Sequence, residues 1–292
     1  MQYQGSVAEH SLASEREIFL ERAAALGLGG LESFHWYHVV DLGDGLVTPG
    51  QFDYRGSLDD YGFDADLTGR TVLDVGSATG FFAFEFERRG AQVTSLELAS
   101  LEQLDRFPGQ PVDHVVRRIV RMLCGDDPSR AAGVTPESLY RDLLAGPFDA
   151  CRRRLRSGVR RAYLSVYDAS PHALGVERGF DFVFASDVLW HTIDPLRALA
   201  AIASVCRDRL SIVQPMPRLP GGVPAMVYEG GDAFGSDELH WYAPTPEFFV
   251  QTLRKLGFGR AWISGSNRTS LRFTDRVLER TIVDARRGPA DG

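Results

Sequence analysis

The sequence predicts an α/β fold: a mostly parallel, seven-stranded, Rossmann-like sheet with helices on both faces, an N-terminal cap and a helical insertion. Three observations carry this. A strand, a glycine turn, a helix and a second strand follow one another from Val72 to Glu97. Beyond them, short apolar runs of strand length alternate with runs of helical period, the pattern of a doubly wound parallel sheet. Residues 99–145 break that alternation and read as helices inserted between sheet elements.

Residues 12–28 alternate charged and apolar groups at helical spacing and run into Gly29-Gly30, which predicts an amphipathic helix. The aromatic stretch LESFHWYHVVDLGDGLVTPGQFD predicts a short strand, a turn at Gly43 to Gly45 and an extended segment past Pro49. Residues 1–60 are thus expected to form a helical and aromatic cap, and 61–292 the main domain. Residues 57–69 leave room for a short helix. TVLDVG (71–76) is a buried strand by length and β-branched content, FFAFEFERRG (81–90) a helix ending at Gly90, and AQVTSLEL (91–98) a second strand. The insertion predicts helices near 112–123 and 136–144 about the turn GDDPSRAAG, and FDACRRRLRSGV (148–159) resumes helix. AYLSVYD (162–168), FDFVFAS (180–186) and RLSIVQPM (209–216) read as strands, with helices at 195–206 and 245–258. The segments 260–266 and 270–284 read as terminal strands. The Pro/Gly-rich loop at 217–240 is long enough to predict a functional role.

Composition narrows the function. The chain has 292 residues, 44% of them hydrophobic and 24% charged, as expected of a globular protein with a core. A net charge of -7 argues against a protein that grips nucleic acid through its phosphates. Cys124, Cys151 and Cys206 are far apart, and no His/Asp/Glu cluster has ligand spacing, so neither a disulfide framework nor a metal site is expected. The first residues lack the basic and apolar pattern of a secretion signal, and no run approaches the ~18 apolar residues of a membrane span. A cytoplasmic protein is the expectation. The arginines at 152, 153, 154, 156, 160 and 161 read as a solvated helix face. Lys255 is the only lysine.

The strongest site signal is VLDVGSATG, Val72 to Gly80. Its glycines permit a sharp turn and a close approach to a ligand. The following helix offers free N–H groups and the positive end of its dipole. Glu97, at the end of the second strand, lies near the ~20-residue spacing at which a carboxylate grips ribose hydroxyls. A nicotinamide dinucleotide and S-adenosylmethionine both fit this much. The run is G-x-x-x-G rather than G-x-G-x-x-G, and Asp74 would repel a pyrophosphate but attract a ligand carrying a sulfonium and an ammonium. The balance favours S-adenosylmethionine.

With these segments in hand, the chain resembles the class I methyltransferases similar to the tRNA wobble-uridine carboxymethyltransferases. The resemblance lies in WYHVVDLGDGLVTPG from Trp36, the glycine loop, SVYDASP from Ser165, FDFVFASDVLWHTIDP from Phe180 and WYAPTPEFFVQTLRKLGF from Trp241. It implies that Asp74, Gly76, Ser77, Thr79 and Gly80 cradle the methionine end of the cofactor, and that Glu97 and Leu98 bind the ribose. It further implies that Asp168 and Ala169 face the adenine, and that Ser186 and Asp187 lie beside the cofactor. Trp190 and His191 would face the transfer site, with Trp36, Tyr37 and His38 folded over it. The tRNA-modifying members use a carboxylated cofactor held partly by lysine, which this chain lacks before Lys255, so ordinary S-adenosylmethionine is expected.

Methyl transfer needs nucleophile, methyl and sulfur held in line, and a base where the nucleophile must lose a proton. His191 is the first candidate base, with His38 and Tyr37 next. Trp36, Trp190, Trp241, Glu229 and His240 are candidate acceptor contacts. Asp187 is also placed to cap the helix that follows it. The expected acceptor is a small molecule such as a natural-product intermediate, aromatic acceptors among them, methylated at oxygen, nitrogen or a nucleophilic ring carbon. A tRNA-modifying enzyme and a non-catalytic cofactor-binding protein are the alternatives. The 99–145 insertion is expected to be a lid, a homodimer contact, or both.

Overall fold

The computed structural model describes residues 5–124, 132–233, 239–272, 274 and 276–288. Most of the expected turn GDDPSRAAG, and part of the 217–240 loop, lie outside the described residues. Helix α1 (Gly5–Ala25) leads into the cap, and a 3-10 turn (Arg55–Tyr61) leads out of it. The sheet then begins with β1 (Thr71–Val75), α2 (Phe81–Arg88) and β2 (Gln92–Glu97). The insertion follows as α3 (Val112–Cys124), α4 (Pro136–Tyr140), a π-helical turn (Arg141–Ala145) and α5 (Gly146–Leu155). Next come β3 (Arg160–Tyr163), β4 (Phe180–Ser186), α6 (Pro195–Ser204) and β5 (Cys206–Gln214). A small ribbon of β6 (Met226–Tyr228) and β7 (Tyr242–Pro244) precedes α7 (Pro246–Lys255), β8 (Arg260–Ser270) and β9 (Val277–Arg286).

Seven strands form one sheet in the order β3-β2-β1-β4-β5-β9-β8. β3, β2, β1, β4 and β5 are parallel neighbours; β9 runs antiparallel to both β5 and β8. The chain winds outward from β1 to β3, then returns to place β4 on the other side of β1. That reversal opens a crevice beyond the carboxyl ends of β1 and β4, where open α/β sheets bind their ligands.

Both faces of the sheet are covered, and the period of two along each strand decides which core a side chain joins. Val72, Phe182 and Phe184 enter the core shared with the cap and α2; Leu73, Val183 and Ala185 enter the core shared with α6 and α7. The first core is dense in aromatic rings, with Phe63, Phe82 and Phe86 packed on Phe184 at centroid distances of 5.3, 4.8 and 5.5 Å. The insertion has a small core of its own, Val115, Val116, Ile119 and Val120 of α3 against Leu139 and Leu143.

Several elements depart from expectation. The helix expected to end at 144 continues through Leu155, because the π-helical turn absorbs Pro147, which has no N–H to donate one turn back. The third strand stops at Tyr163, and the chain turns into a 3-10 helix (Val166–Asp168) in which the Ser165 hydroxyl accepts the Tyr167 N–H. In the cap only isolated bridges form, His38 with Phe52 and Asp41 with Val47. There Gly50 lies so close to the His38 backbone that a Cβ would sit 2.0 Å from its carbonyl carbon. The cap is tied to the far edge of the sheet by a bridge from Phe52 to Leu271. The first terminal strand runs on to Ser270, past its expected end at 266, and the second is confined to Val277–Arg286. No helix among the described residues is long and apolar enough to cross a membrane.

Candidate active site

β1 ends in the glycine turn. Gly76 has φ 68°, and Ala78, without glycine's freedom, has φ 46°. A Cβ on Gly76 would stand 2.4 Å from Val188 Cγ2, so the turn and the loop after β4 touch backbone to side chain. Asp74, the next-to-last residue of β1, is 2% exposed and accepts the backbone N–H of Ala83 from α2, while its Oδ2 has no partner. Burial, and then the charge of Glu97, lift its carboxyl to about 8. A buried, unpartnered carboxylate oxygen is costly unless a cation or donor arrives to meet it.

Glu97 is held from behind. It accepts the backbone N–H groups of Ala78 (2.9 Å) and Leu98 (3.0 Å), and Arg161 lies 3.6 Å away. Arg161 also donates to the Ala78 carbonyl at 2.9 Å and stacks 4.0 Å over the Phe148 ring. Two of the arginines expected on a solvated face are therefore elsewhere: Arg161 is buried under the turn, and Arg160 reaches Thr94 and the Leu174 carbonyl.

A cavity of about 620 Å³ opens over the carboxyl ends of the strands. Of the expected site residues, Asp74, Gly76, Ser77, Glu97, Leu98, Ser186 and Asp187 line it on the sheet side. Tyr37, His38, Trp190, His191 and His240 line it from the cap and the loops. The insertion covers it with Ile119, Met122, Leu143 and Leu144, and Tyr140 donates to the Leu98 carbonyl at 2.7 Å.

The three histidines differ in what their neighbours allow. His191 Nδ1 lies 2.6 Å from the Leu239 carbonyl, which can only accept, so Nδ1 carries the proton and Nε2 keeps its lone pair. Burial lowers its pKa, which keeps the ring neutral. His38 Nδ1 meets the Thr79 hydroxyl at 2.9 Å among the rings of Tyr54, Phe81 and Phe82, and burial lowers it to about 3. His240 stacks on Trp190 with centroids 3.9 Å apart, and burial lowers it to about 3. Burial raises the Tyr37 phenol, so it too is neutral.

Asp187 does not cap a helix. Its backbone is left-handed at φ 53°, and its Oδ2 accepts Arg280 Nε at 2.6 Å. The cap of α6 is Asp194, whose Oδ1 accepts the Arg197 N–H at 3.0 Å. Trp190 Nε1 donates to the Asp187 carbonyl at 3.1 Å, which fixes the indole on the cavity wall.

Other expected contacts fall outside the cavity lining. Trp36 is buried in the cap core, its ring 5.2 Å from Phe19 and 5.8 Å from Phe34. Thr79 and Gly80 stand behind the turn, Thr79 reaching the cavity only through His38. Asp168 points outward, 62% exposed and 4.0 Å from Arg197, while Ala169 is packed in the apolar core beside Leu174. Glu229 is exposed. Trp241 is buried beneath the wall, donating to the Asp105 carbonyl at 3.2 Å and edge-on to Phe107.

Sequence reasoning missed Arg280, Asp105, Tyr140 and Tyr167, all in the cavity lining. Arg280 carried a signal, since an arginine alternating with Leu278 and Ile282 in a sheet strand must find a buried partner. Asp105 carried none. It accepts the Ile193 N–H at 2.6 Å and the Tyr167 hydroxyl, 88 and 62 residues further along the chain, contacts that no local pattern links.

Fold and cavity define a Rossmann-like α/β protein with its ligand cavity at the topological switch point. No protein-family model matches the chain, and no curated protein does. Among solved structures, it is similar to the magnesium protoporphyrin IX methyltransferase of Synechocystis PCC 6803 with bound SAM. The identity is 15% over 77% of this chain and 73% of that one, with a TM-score of 0.44. It is also similar to the 1,6-didemethyltoxoflavin-N1-methyltransferase of Burkholderia thailandensis with bound 1,6-didemethyltoxoflavin and S-adenosylhomocysteine, at 17% identity, 75% and 72% coverage and a TM-score of 0.44. The N-terminal domain of EvdMO1 with SAH bound aligns over 94% of this chain and 97% of that one, at 15% identity and a TM-score of 0.47.

Proposed function

We propose that the protein transfers a methyl group from S-adenosylmethionine to a small-molecule acceptor at oxygen, nitrogen or a nucleophilic ring carbon. The observation that carries this reading is Asp74: a buried carboxylate whose Oδ2 has no partner, beside a glycine turn and facing the cavity. That site fits a ligand bringing an ammonium and a sulfonium, whose positive charge favours the ionised carboxyl, and it offers no compensating charge to the pyrophosphate of a dinucleotide. Glu97, held by two backbone N–H groups, keeps oxygen lone pairs for a ribose diol.

S-adenosylmethionine would supply an activated methyl group, taken by an acceptor lone pair as the carbon–sulfur electron pair leaves to sulfur. Asp74 and the turn at Gly76 and Ser77 hold the amino-acid end; Glu97 and Leu98 hold the ribose. The insertion residues Ile119, Leu143 and Leu144 exclude water from above. Trp190 and His240, stacked, give the acceptor a flat wall. His191 Nε2 accepts the acceptor's proton, because its Nδ1–H is committed to Leu239 and its ring is neutral before transfer.

Calorimetric titration with S-adenosylmethionine, S-adenosylhomocysteine and NAD tests the reading. Binding of both adenosyl ligands and not of NAD is the expected result. Binding of NAD alone, or of none of the three, overturns it. Methyl transfer to bulk tRNA, with none to a panel of small aromatic acceptors, would overturn the small-molecule part.

A further inference from the structure

The cavity walls carry both signs of charge. Each of the four acidic side chains of the lining has at least one partner, while Asp74 Oδ2 and Asp187 Oδ1 have none: Asp74 meets the Ala83 N–H, Glu97 Ala78 and Leu98, Asp105 Ile193 and Tyr167, and Asp187 Arg280. Arg280 is in turn neutralised by Asp187. Arg118 and Arg121, on α3, and Arg276, just before β9, also line the cavity. Arg118 and Arg276 are exposed, and neither has an acidic partner within 4.0 Å among the described residues.

Each arginine has a defined setting. The charge of Arg118 is felt by His240, so it stands at the aromatic wall. Arg276 accepts the Leu271 N–H on its own carbonyl, so it belongs to the hairpin end that bridges to Phe52 of the cap. The lining also offers apolar side chains: Ile119, Met122, Leu239, Leu271 and Leu278. Positive charge with no acidic partner among the described residues runs against the balance of a chain whose net charge is -7. Guanidinium groups match carboxylates geometrically and hold them by charge-assisted hydrogen bonds.

We propose that the methyl acceptor is a small acid with an apolar or aromatic body, its carboxylate bound at the cavity mouth by Arg118 and Arg276. The inference rests on the methyl-transfer reading. The apolar body lies along Ile119, Leu271 and the Trp190–His240 stack, and the carboxylate stays at the rim, where losing its water costs less than in the interior. The two arginines select the acceptor and take no part in the transfer itself.

The test uses the full chain saturated with S-adenosylhomocysteine. Ligand-observed NMR measures binding of matched pairs: indole-3-carboxylate, 2-naphthoate and salicylate, each against its primary amide, with phenyl phosphate and bulk tRNA as further probes. The expected result is a preference for at least one acid over its amide on the order of tenfold. The double variant Arg118→Gln, Arg276→Gln should lose that preference while keeping its S-adenosylhomocysteine affinity; both side chains are exposed, so the fold is not at risk. Amides binding as well as the acids, no acid binding at all, or a preference that survives in the double variant each overturn the proposal. So does tRNA or phenyl phosphate bound more tightly than every carboxylate. Failure of S-adenosylhomocysteine to bind is a separate result, which overturns the methyl-transfer reading beneath it.

Discussion

At the scale of single residues, the chemistry turns on protonation states set by burial. Asp74 rests protonated below about 8, because its unpartnered oxygen is out of water and Glu97 adds like charge. On the proposed reading, the ligand's ammonium needs the ionised form, so binding near neutral pH releases a proton. Apparent affinity for S-adenosylhomocysteine should therefore rise between pH 5 and 8, by up to about tenfold per unit. Calorimetry at pH 6.5 in phosphate and in Tris should give different apparent enthalpies; Asp74→Asn should remove the difference, and identical enthalpies for the parent chain would refute the assignment. His191 makes the second prediction. His191→Gln should lower kcat by ~10²–10⁴ for an acceptor that loses a proton, with cofactor affinity unchanged. Because burial depresses His191, the acid limb of the parent's kcat/KM profile should fall below its ordinary 6.5. A variant with unaltered kcat would assign His191 to shaping the pocket. The place of Asp74, Glu97 and His191 in the cavity lining was legible in the sequence, since each ends a strand or follows one beside a glycine or aromatic motif.

At the scale of elements, the site is a junction of loops, and its tightness can be tested at two positions. Gly76→Ala adds a Cβ 2.4 Å from Val188 Cγ2 at a left-handed φ of 68°, a conformation that costs a side chain ~1–2 kcal/mol before any clash. S-adenosylhomocysteine affinity and thermal midpoint should both fall. Adding Val188→Ala should recover part of the loss, because it removes the clash and leaves the backbone strain. Asp105 ties the segment after β2 to Ile193, Tyr167 and, through its carbonyl, Trp241. Asp105→Ala leaves the Ile193 N–H unpaired, at a cost of ~1–3 kcal/mol. Hydrogen exchange at 189–193 should quicken, with acceptor KM raised more than cofactor affinity is weakened; unchanged exchange would show that the segment is held by packing alone. The β–α–β unit was readable because strand, turn and helix lie within one short window. The run from α4 through α5 was not, because Pro147 reads locally as a helix start and only the π-helical turn lets the helix pass it. The same limit explains Trp36, an aromatic that a motif placed at the site and tertiary packing took into the cap core.

At the scale of the whole molecule, the sheet order follows from the alternation of elements, but the closing of the cavity does not. Cap, insertion and terminal hairpin come from the two ends and the middle of the chain, and they meet only through long-range contacts such as Phe52 with Leu271. Closing the cavity buries imidazoles, which ties global stability to pH. His38 and His240 titrate at about 3 in the folded protein, against an ordinary 6.5 in the unfolded chain. Between those values the unfolded chain binds protons that the folded one refuses. The stability these groups contribute is complete above pH 6.5 and is lost progressively as pH falls toward 3. Asp74 acts in the opposite sense, its cost growing as pH rises from 3.8 to about 8. Thermal midpoints of the parent chain should therefore fall between pH 6.5 and 4 more steeply than those of His38→Gln, His240→Gln, even though the variant starts lower at neutral pH. Parallel curves would mean that these rings take up protons without unfolding, by the opening of the cap and the 239–240 segment around them.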